Sequence, residues 1–156
     1  MSIPDTVVNY LHGREIEFEV VSHQPTMTSL ETAQSAHIPG DRVAKGVVLD
    51  DGEEYVLAVL PATRRVDTDA LSDLLDRDVC LVGEDDVAMV FRDCRYGAVP
   101  PVGGAYGLLT VVDESIAEQP DVYLECGDHE HLIHVDHRAF EKLIAGSERG
   151  TFSHHI

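Results

Sequence analysis

Apolar and polar residues follow two different spacings along the chain, one typical of strands and one of helices. Apolar, often β-branched runs of strand length predict strands over residues 16–21, 42–50, 55–60, 79–82, 108–112, 122–126 and 132–135. Helical spacing or a capping residue predicts helices over residues 3–11, 29–37, 67–75, 84–91 and 137–144. The run at 79–82 is short and apolar, which favours a buried strand.

Two local signals fix the connections between these elements. Thr28 and Glu31 have the spacing of a capping box at the start of the 29–37 helix. Asp50-Asp51-Gly52-Glu53 separates two strand runs and predicts a tight hairpin. A tight hairpin excludes a purely parallel βαβ array. We therefore expect an α/β chain of the α+β type, with a mixed, largely antiparallel sheet, curled or forming a partial barrel, and helices around it.

Length and composition indicate how many domains the chain forms and in which cellular compartment it is expected. The chain has 156 residues, of which 44% are hydrophobic, so residues 1–156 are expected to form a single domain, with 146–156 as a loose C-terminal tail. The first residues have neither a basic start nor an apolar stretch, so no secretion signal is expected. Three cysteines, an odd number, favour reduced thiols and a cytoplasmic location.

The charge balance is strongly acidic. The chain has 29 acidic and 11 basic residues, a net charge of −18, and only Lys45 and Lys142 are lysines. A surface of this sign repels phosphate backbones, so DNA is not an expected partner, and no apolar run is long enough for a membrane helix. An acidic, lysine-poor surface also suggests a salt-adapted source. Equal melting temperatures in low and high KCl would count against that hypothesis.

Lys45 and a glycine-proline loop are the first candidates for chemistry. Lys45 lies inside an apolar strand, where its charge needs water, an acid or a ligand anion. The loop Gly97–Gly104 contains two prolines and three glycines, which predicts a stiff backbone with accessible amides that could hold a carbonyl or an oxyanion. The alternatives are a lysine that points to solvent and an ordinary surface loop.

Histidines and cysteines are the other candidates. His129, His131, His134 and His137 lie close in sequence, but no zinc-binding motif accompanies them. They are interpreted as polar loop and cap residues, with a metal site or one pocket histidine as alternatives. Cys94 precedes the loop and is interpreted as a structural thiol.

Several of these segments together resemble a known family. The segments are Val43-Ala44-Lys45-Gly46-Val47-Val48-Leu49, Gly97-Ala98-Val99-Pro100-Pro101-Val102-Gly103, His23-Gln24-Pro25, and the closing strand and helix over 132–143. Over residues 6–144 the chain resembles the YbaK family. That family comprises freestanding aminoacyl-tRNA deacylases and the editing domain of bacterial prolyl-tRNA synthetases.

The resemblance implies a curled mixed sheet and hydrolysis of the ester of a mischarged tRNA, of the tRNA(Pro) type, without metal or cofactor. Water, or in one branch the substrate's own thiol, is the attacking group. Lys45 would hold the terminal adenosine or its phosphate, and amides at Gly97, Ala98 and Gly103 would polarise the ester carbonyl. The implied substrate-binding residues are His23, Gly46, Pro100, Pro101 and His131.

The resemblance also implies partners. The 3′ acceptor end of an aminoacyl-tRNA is the expected partner, a tRNA synthetase is a further candidate, and no membrane is expected. Because acidic surfaces weaken tRNA affinity, the alternative is a non-catalytic module that binds an amino acid, an aminoacyl-nucleotide or a tRNA end. A hydrolase with a histidine-bound metal ion is a third hypothesis for the function.

Overall fold

A computed structural model describes residues 3–156. The helices are α1 (Asp5–Gly13), α2 (Ser29–Ala36), α3 (Thr68–Leu75), α4 (Glu84–Val90), α5 (Glu114–Ala117) and α6 (His137–Ile144), with short 3-10 turns at Gly40–Arg42 and Gly103–Tyr106. The strands are β1 (Glu19–Ser22), β2 (Val43–Asp50), β3 (Tyr55–Pro61), β4 (Arg64–Val66), β5 (Cys80–Leu81), β6 (Leu109–Asp113), β7 (Asp121–Glu125), β8 (His131–Asp136), β9 (Glu148–Gly150) and β10 (Ser153–His155).

The main sheet is mixed, as the sequence predicts. Its strand order is β1-β8-β7-β2-β3-β6-β9, with β5 beside β2, while β4 and β10 form a separate pair. The β1–β8, β7–β8, β2–β3 and β2–β5 pairs are antiparallel, and the β2–β7, β3–β6 and β6–β9 pairs are parallel. Within residues 3–156, β1 and β9 lie at opposite ends of this order, so the sheet does not close into a barrel. The predicted mixed α+β fold is confirmed.

Each face of the sheet is covered by its own helices because strand side chains alternate between faces. On one face, Val48 of β2 belongs to the core that includes Leu11 of α1 and Phe140 of α6. On the other, Leu49 packs in a core with Leu71 of α3, and a smaller apolar cluster contains Ala33 of α2. No helix in the described part of the chain is long and apolar enough to cross a membrane.

The predicted loose tail over 146–156 is wrong. β9 pairs with β6 in the main sheet and β10 pairs with β4. Between them Phe152 is fully buried, and its amide donates to the buried carboxylate of Asp113 at 3.0 Å. The last residues therefore complete the second core rather than fray from it.

The predicted buried strand at 79–82 is also corrected. Only Cys80–Leu81 forms a strand, paired with the end of β2, and the Leu81 side chain is 64% exposed. Val79 alone of this run is buried. The run is a short, exposed edge of the sheet.

Candidate functional site

Three loop segments are hydrogen-bonded to one another beside the end of β7. The Arg95 amide donates to the Gly127 carbonyl at 2.8 Å, and the His129 Nε2 atom lies 2.9 Å from the Tyr96 carbonyl oxygen. The His23 amide donates to the Glu130 carbonyl at 2.8 Å. The start of the glycine-proline loop and the segment before α2 are thus both fixed to the β7–β8 turn.

Two neighbouring spaces lie among these segments, and His129 lines both. We call the larger the outer cleft. It measures about 210 Å³ and is lined by Pro25, Thr26, Met27, Arg95, Asp128, His129 and Glu130. We call the smaller the inner cavity. It measures about 10 Å³, room for a single water molecule, and is lined by His23, Thr32, Ala98, Glu125, Cys126, Gly127, His129 and His131.

Asp128 organises the β7–β8 turn. Its side chain is fully buried, and its Oδ1 atom accepts from the amides of Glu130 and His131 at 3.0 and 2.9 Å. Its Oδ2 atom is hydrogen-bonded to Nδ1 of His131. Burial disfavours the ionised carboxylate and so raises the pKa of Asp128, but the effect of these hydrogen bonds is larger, and the pKa is lowered overall. With Nδ1 committed to Asp128, Nε2 of His131 is the ring nitrogen left for a ligand.

Lys45 projects from β2 towards the α2 side of the sheet. Its side chain is partly buried, and that burial lowers its pKa, while the nearby charge of Glu125 opposes the shift. The Lys45 ammonium makes no side-chain hydrogen bond, and no ion pair within 4.0 Å, with any residue in the described range. An ammonium held near a carboxylate without touching it is available to a ligand anion or carbonyl.

Glu125, the neighbour of Lys45, was missed by sequence reasoning. It lies at the end of β7, next to β2 in the sheet, and it lines the inner cavity. Its Oε1 atom has less than 1 Å² of exposed surface and no hydrogen-bond partner in the described chain. Burial raises the pKa of Glu125, opposed by a hydrogen bond from Ser29 and by the charges of His129 and Lys45.

The sequence also led us to expect that the Lys45 ammonium points into a pocket bounded by the Gly97–Gly103 loop, and the structure corrects this expectation for most of the loop. A Cβ atom added at Gly46 would lie 2.9 Å from Cγ1 of Val99, so Val99 packs on the face of β2 that Gly46 presents. Side chains alternate along a strand, so Lys45 leaves from the opposite face. The loop reaches the lysine side at its start, where Ala98 lines the inner cavity with Glu125.

The beginning of the loop belongs to the site. Gly97 has φ +79°, in the region that favours glycine, and a Cβ atom there would lie 3.9 Å from Nε2 of His129. The expectation for the Ala98 amide is corrected, because that amide already donates to the Arg95 carbonyl at 2.9 Å. The amides of Gly97 and Val99 have no partner among residues 3–156, so they are the donors left for a carbonyl oxygen.

The end of the loop lies elsewhere. A Cβ atom at Gly103 would lie 2.0 Å from Oγ1 of Thr110, so this glycine is required by packing. Pro101 and Gly103 line a separate cavity of about 230 Å³ with Tyr10 and residues of α6. Pro100 is buried in the loop. The structure therefore brings Gly97 and Ala98, but not Pro101 and Gly103, together with His23, His131 and the Lys45–Glu125 pair.

The other two candidate histidines have structural partners, and the Cys94 thiol lies 3.4 Å from the Tyr106 hydroxyl. His134 bonds Asp121 at 2.8 Å, and the ring of His137 lies 3.0 Å from the Gln119 carbonyl. No group of three potential ligands suited to a metal ion occurs within residues 3–156. Burial raises the pKa of the Cys94 thiol to about 12, so it stays protonated at neutral pH and is a poor nucleophile.

Comparison with solved structures shows a shared fold. The hypothetical protein APE2540 is 21% identical, with a TM-score of 0.84 and coverage of 96% of this chain and 99% of that chain. A proposed trans-editing enzyme for prolyl-tRNA synthetase is 21% identical, with a TM-score of 0.83 and coverage of 96% of each chain. A proposed signal transduction protein from Marinobacter aquaeolei VT8 is also 21% identical, with a TM-score of 0.76, but the match covers 97% of this chain and 31% of that one.

Sequence comparison is more specific than the shared fold. A search of curated proteins finds no match. The sequence profile of the aminoacyl-tRNA editing domain matches residues 23–143, a range that contains Lys45, Gly97, Glu125 and His131. Because this match spans most of the chain, the protein belongs to the aminoacyl-tRNA editing domain family, the YbaK family that its sequence resembles.

Proposed function

We propose that the protein is a cytoplasmic trans-editing deacylase that hydrolyses the ester of a mischarged tRNA of the tRNA(Pro) type. The observation that carries this proposal is the juxtaposition of the outer cleft and the inner cavity at residues 23–32, 95–98 and 125–131. The cleft can admit the end of a nucleic acid strand, and the adjoining cavity has room for one water molecule. Membership of the editing-domain family supports the same reading.

The outer cleft suits the terminal nucleotide. Arg95 is exposed at its wall, and its guanidinium has no side-chain partner in residues 3–156, so it can meet a phosphate. Met27 is 71% exposed on the other wall and offers apolar surface to a base or a ribose. A local cation matters here, because the net charge of −18 repels the rest of a tRNA.

The ester carbonyl is proposed to lie where the cleft meets the inner cavity. There the free amides of Gly97 and Val99 can donate to the oxygen that becomes negative during attack. Lys45 contributes positive charge from the α2 side, next to Glu125. Nε2 of His131, oriented by Asp128, can bond the substrate's amino acid or ribose. The reaction then needs no protein nucleophile, since water attacks.

Release of amino acid from a panel of mischarged tRNAs, beginning with Ala-tRNA(Pro) and Cys-tRNA(Pro), tests the proposal. We expect turnover of at least one substrate and no release from correctly charged Pro-tRNA(Pro). Failure on every mischarged substrate would refute the deacylase.

The second candidate is a module that binds the same ligand without hydrolysis, and the acidic surface favours it because it opposes tRNA docking. Calorimetry with an amide-linked aminoacyl-adenosine separates the two. Binding without turnover in the panel would select the module.

A further inference from the structure

Glu125 is a buried acid that the proposed reaction does not yet use. Its Oε1 atom is shut off from solvent and has no hydrogen-bond partner in the described chain, and the residue lines the inner cavity. Leaving a buried carboxylate oxygen unpaired costs free energy, and a bound molecule that donates a hydrogen bond to it would offset that cost. The cavity beside it has room for one water molecule.

The surroundings of this carboxyl are those of a base rather than of a structural ion pair. Lys45 influences Glu125 electrostatically, but its ammonium does not come within 4.0 Å of the carboxylate oxygens. Burial raises the pKa of Glu125 towards the working pH, where a carboxylate is a more effective proton acceptor than at its ordinary pKa. Ala98, beside the free Gly97 and Val99 amides, lines the same cavity.

We propose that Glu125 is the general base of the reaction, with Oε1 binding the hydrolytic water in the inner cavity. This inference rests on the proposed deacylase function and assigns the group that activates its water. As the water oxygen bonds to the ester carbon, its proton passes to Oε1 and the carbonyl electrons move to the oxygen facing the Gly97 and Val99 amides. When the carbonyl re-forms, the bond to the ribose oxygen breaks, and the proton passes from Glu125 to that oxygen. The products are the free amino acid and a tRNA with a free hydroxyl.

Glu125→Gln tests this step because it keeps the shape of the side chain and removes the proton acceptor. We expect kcat to fall about 100-fold or more, the usual contribution of a general base. The Kd for an amide-linked aminoacyl-adenosine should stay within about threefold of wild type, since the base acts on water. Glu118→Gln, on the exposed surface, is the matched control and should keep the wild-type rate.

The pH dependence of kcat distinguishes a general base from a residue with a purely structural role. Wild-type kcat should rise with pH until Glu125 is ionised and then level, whereas the residual rate of Glu125→Gln should lack that inflection. Other titratable groups near Glu125 are Lys45, His23, Cys126, His129, His131 and Asp128, all unchanged in this variant. Glu125→Asp, which keeps a carboxylate one methylene shorter, should retain the inflection at a reduced rate.

The outcomes separate the two proposals. An active wild type with a Glu125→Gln rate within threefold of it refutes the base while the deacylase stands. Loss of analogue binding in Glu125→Gln also refutes the base and assigns Glu125 to ligand anchoring. If Glu125→Gln does not fold, a Glu125→Asp profile without the inflection refutes it. A wild type inactive on every tRNA refutes both proposals.

Discussion

Replacing Lys45 by Met should greatly slow catalysis while leaving the fold intact. Lys45 is partly buried, unpaired within 4.0 Å, and has a lowered pKa because burial disfavours its charge. Met keeps the length of the stem and removes the charge, so the free energy of unfolding should change by less than about 1 kcal/mol. For a chain of this size that is a shift in Tm of no more than about 4 °C.

The catalytic loss should be much larger. One positioned charge or donor at the reacting carbonyl contributes about 3–4 kcal/mol, so deacylation of the best mischarged tRNA should fall about 100- to 1,000-fold. Lys45→Arg should not restore the rate, because the planar guanidinium does not fit a site shaped for an ammonium. Lys142→Ala is the matched control, since the Lys142 ammonium lies on the surface, where it donates to the Glu15 carbonyl at 2.9 Å. A Lys45→Met rate above a third of wild type would refute this reasoning.

Three further predictions follow from single contacts. Gly97→Ala and Gly107→Ala should each cost about 1 kcal/mol in chemical denaturation, because both residues have φ near +70 to +80°, but only Gly97→Ala should slow deacylation. Equal rates would contradict a role for the loop start. Phe152→Ala should destabilise by about 3–5 kcal/mol, and a change below about 1 kcal/mol would mean that the tail is dispensable. The pKa of Asp128 is lowered in the fold, so its ionised carboxylate stabilises the protein at pH values above the ordinary pKa of Asp. That stabilisation is lost as pH falls through the lowered pKa. The Tm of Asp128→Asn should therefore fall less steeply with acid than that of wild type. Parallel pH–Tm curves would contradict this.

Local signals in the sequence predicted the elements well. The capping box holds, with the Glu31 amide donating to Thr28 Oγ1 at 3.2 Å. Asp136, the residue before the predicted 137–144 helix, caps α6 by accepting from the Ala139 amide at 2.7 Å. Caps and hairpins depend on residues three or four apart, so their sequence signals are complete in themselves. The tail could not be predicted in this way, because Phe152 is held by Asp113, 39 positions earlier.

The site was predicted only in part for the same reason. Lys45 stood out because an apolar strand surrounds it, and Gly97 because of the loop's composition. Glu125 carries no such signal among 29 acidic residues, and its significance depends on the burial of one oxygen atom in the folded chain. The sequence also treated the loop as one unit, whereas its start lines the inner cavity and its end packs against Thr110 beside a separate cavity.

The location of the site is the central claim, and NMR titration with an amide-linked aminoacyl-adenosine tests it most directly. We expect amide shift changes at residues 23–32, 95–99 and 125–131 and at Lys45, with saturation. The cavity of about 230 Å³ beside Tyr10 and Leu143 is the internal comparison, and its amides should not move. Saturable changes confined to that cavity, with the 125–131 turn unaffected, would contradict the account.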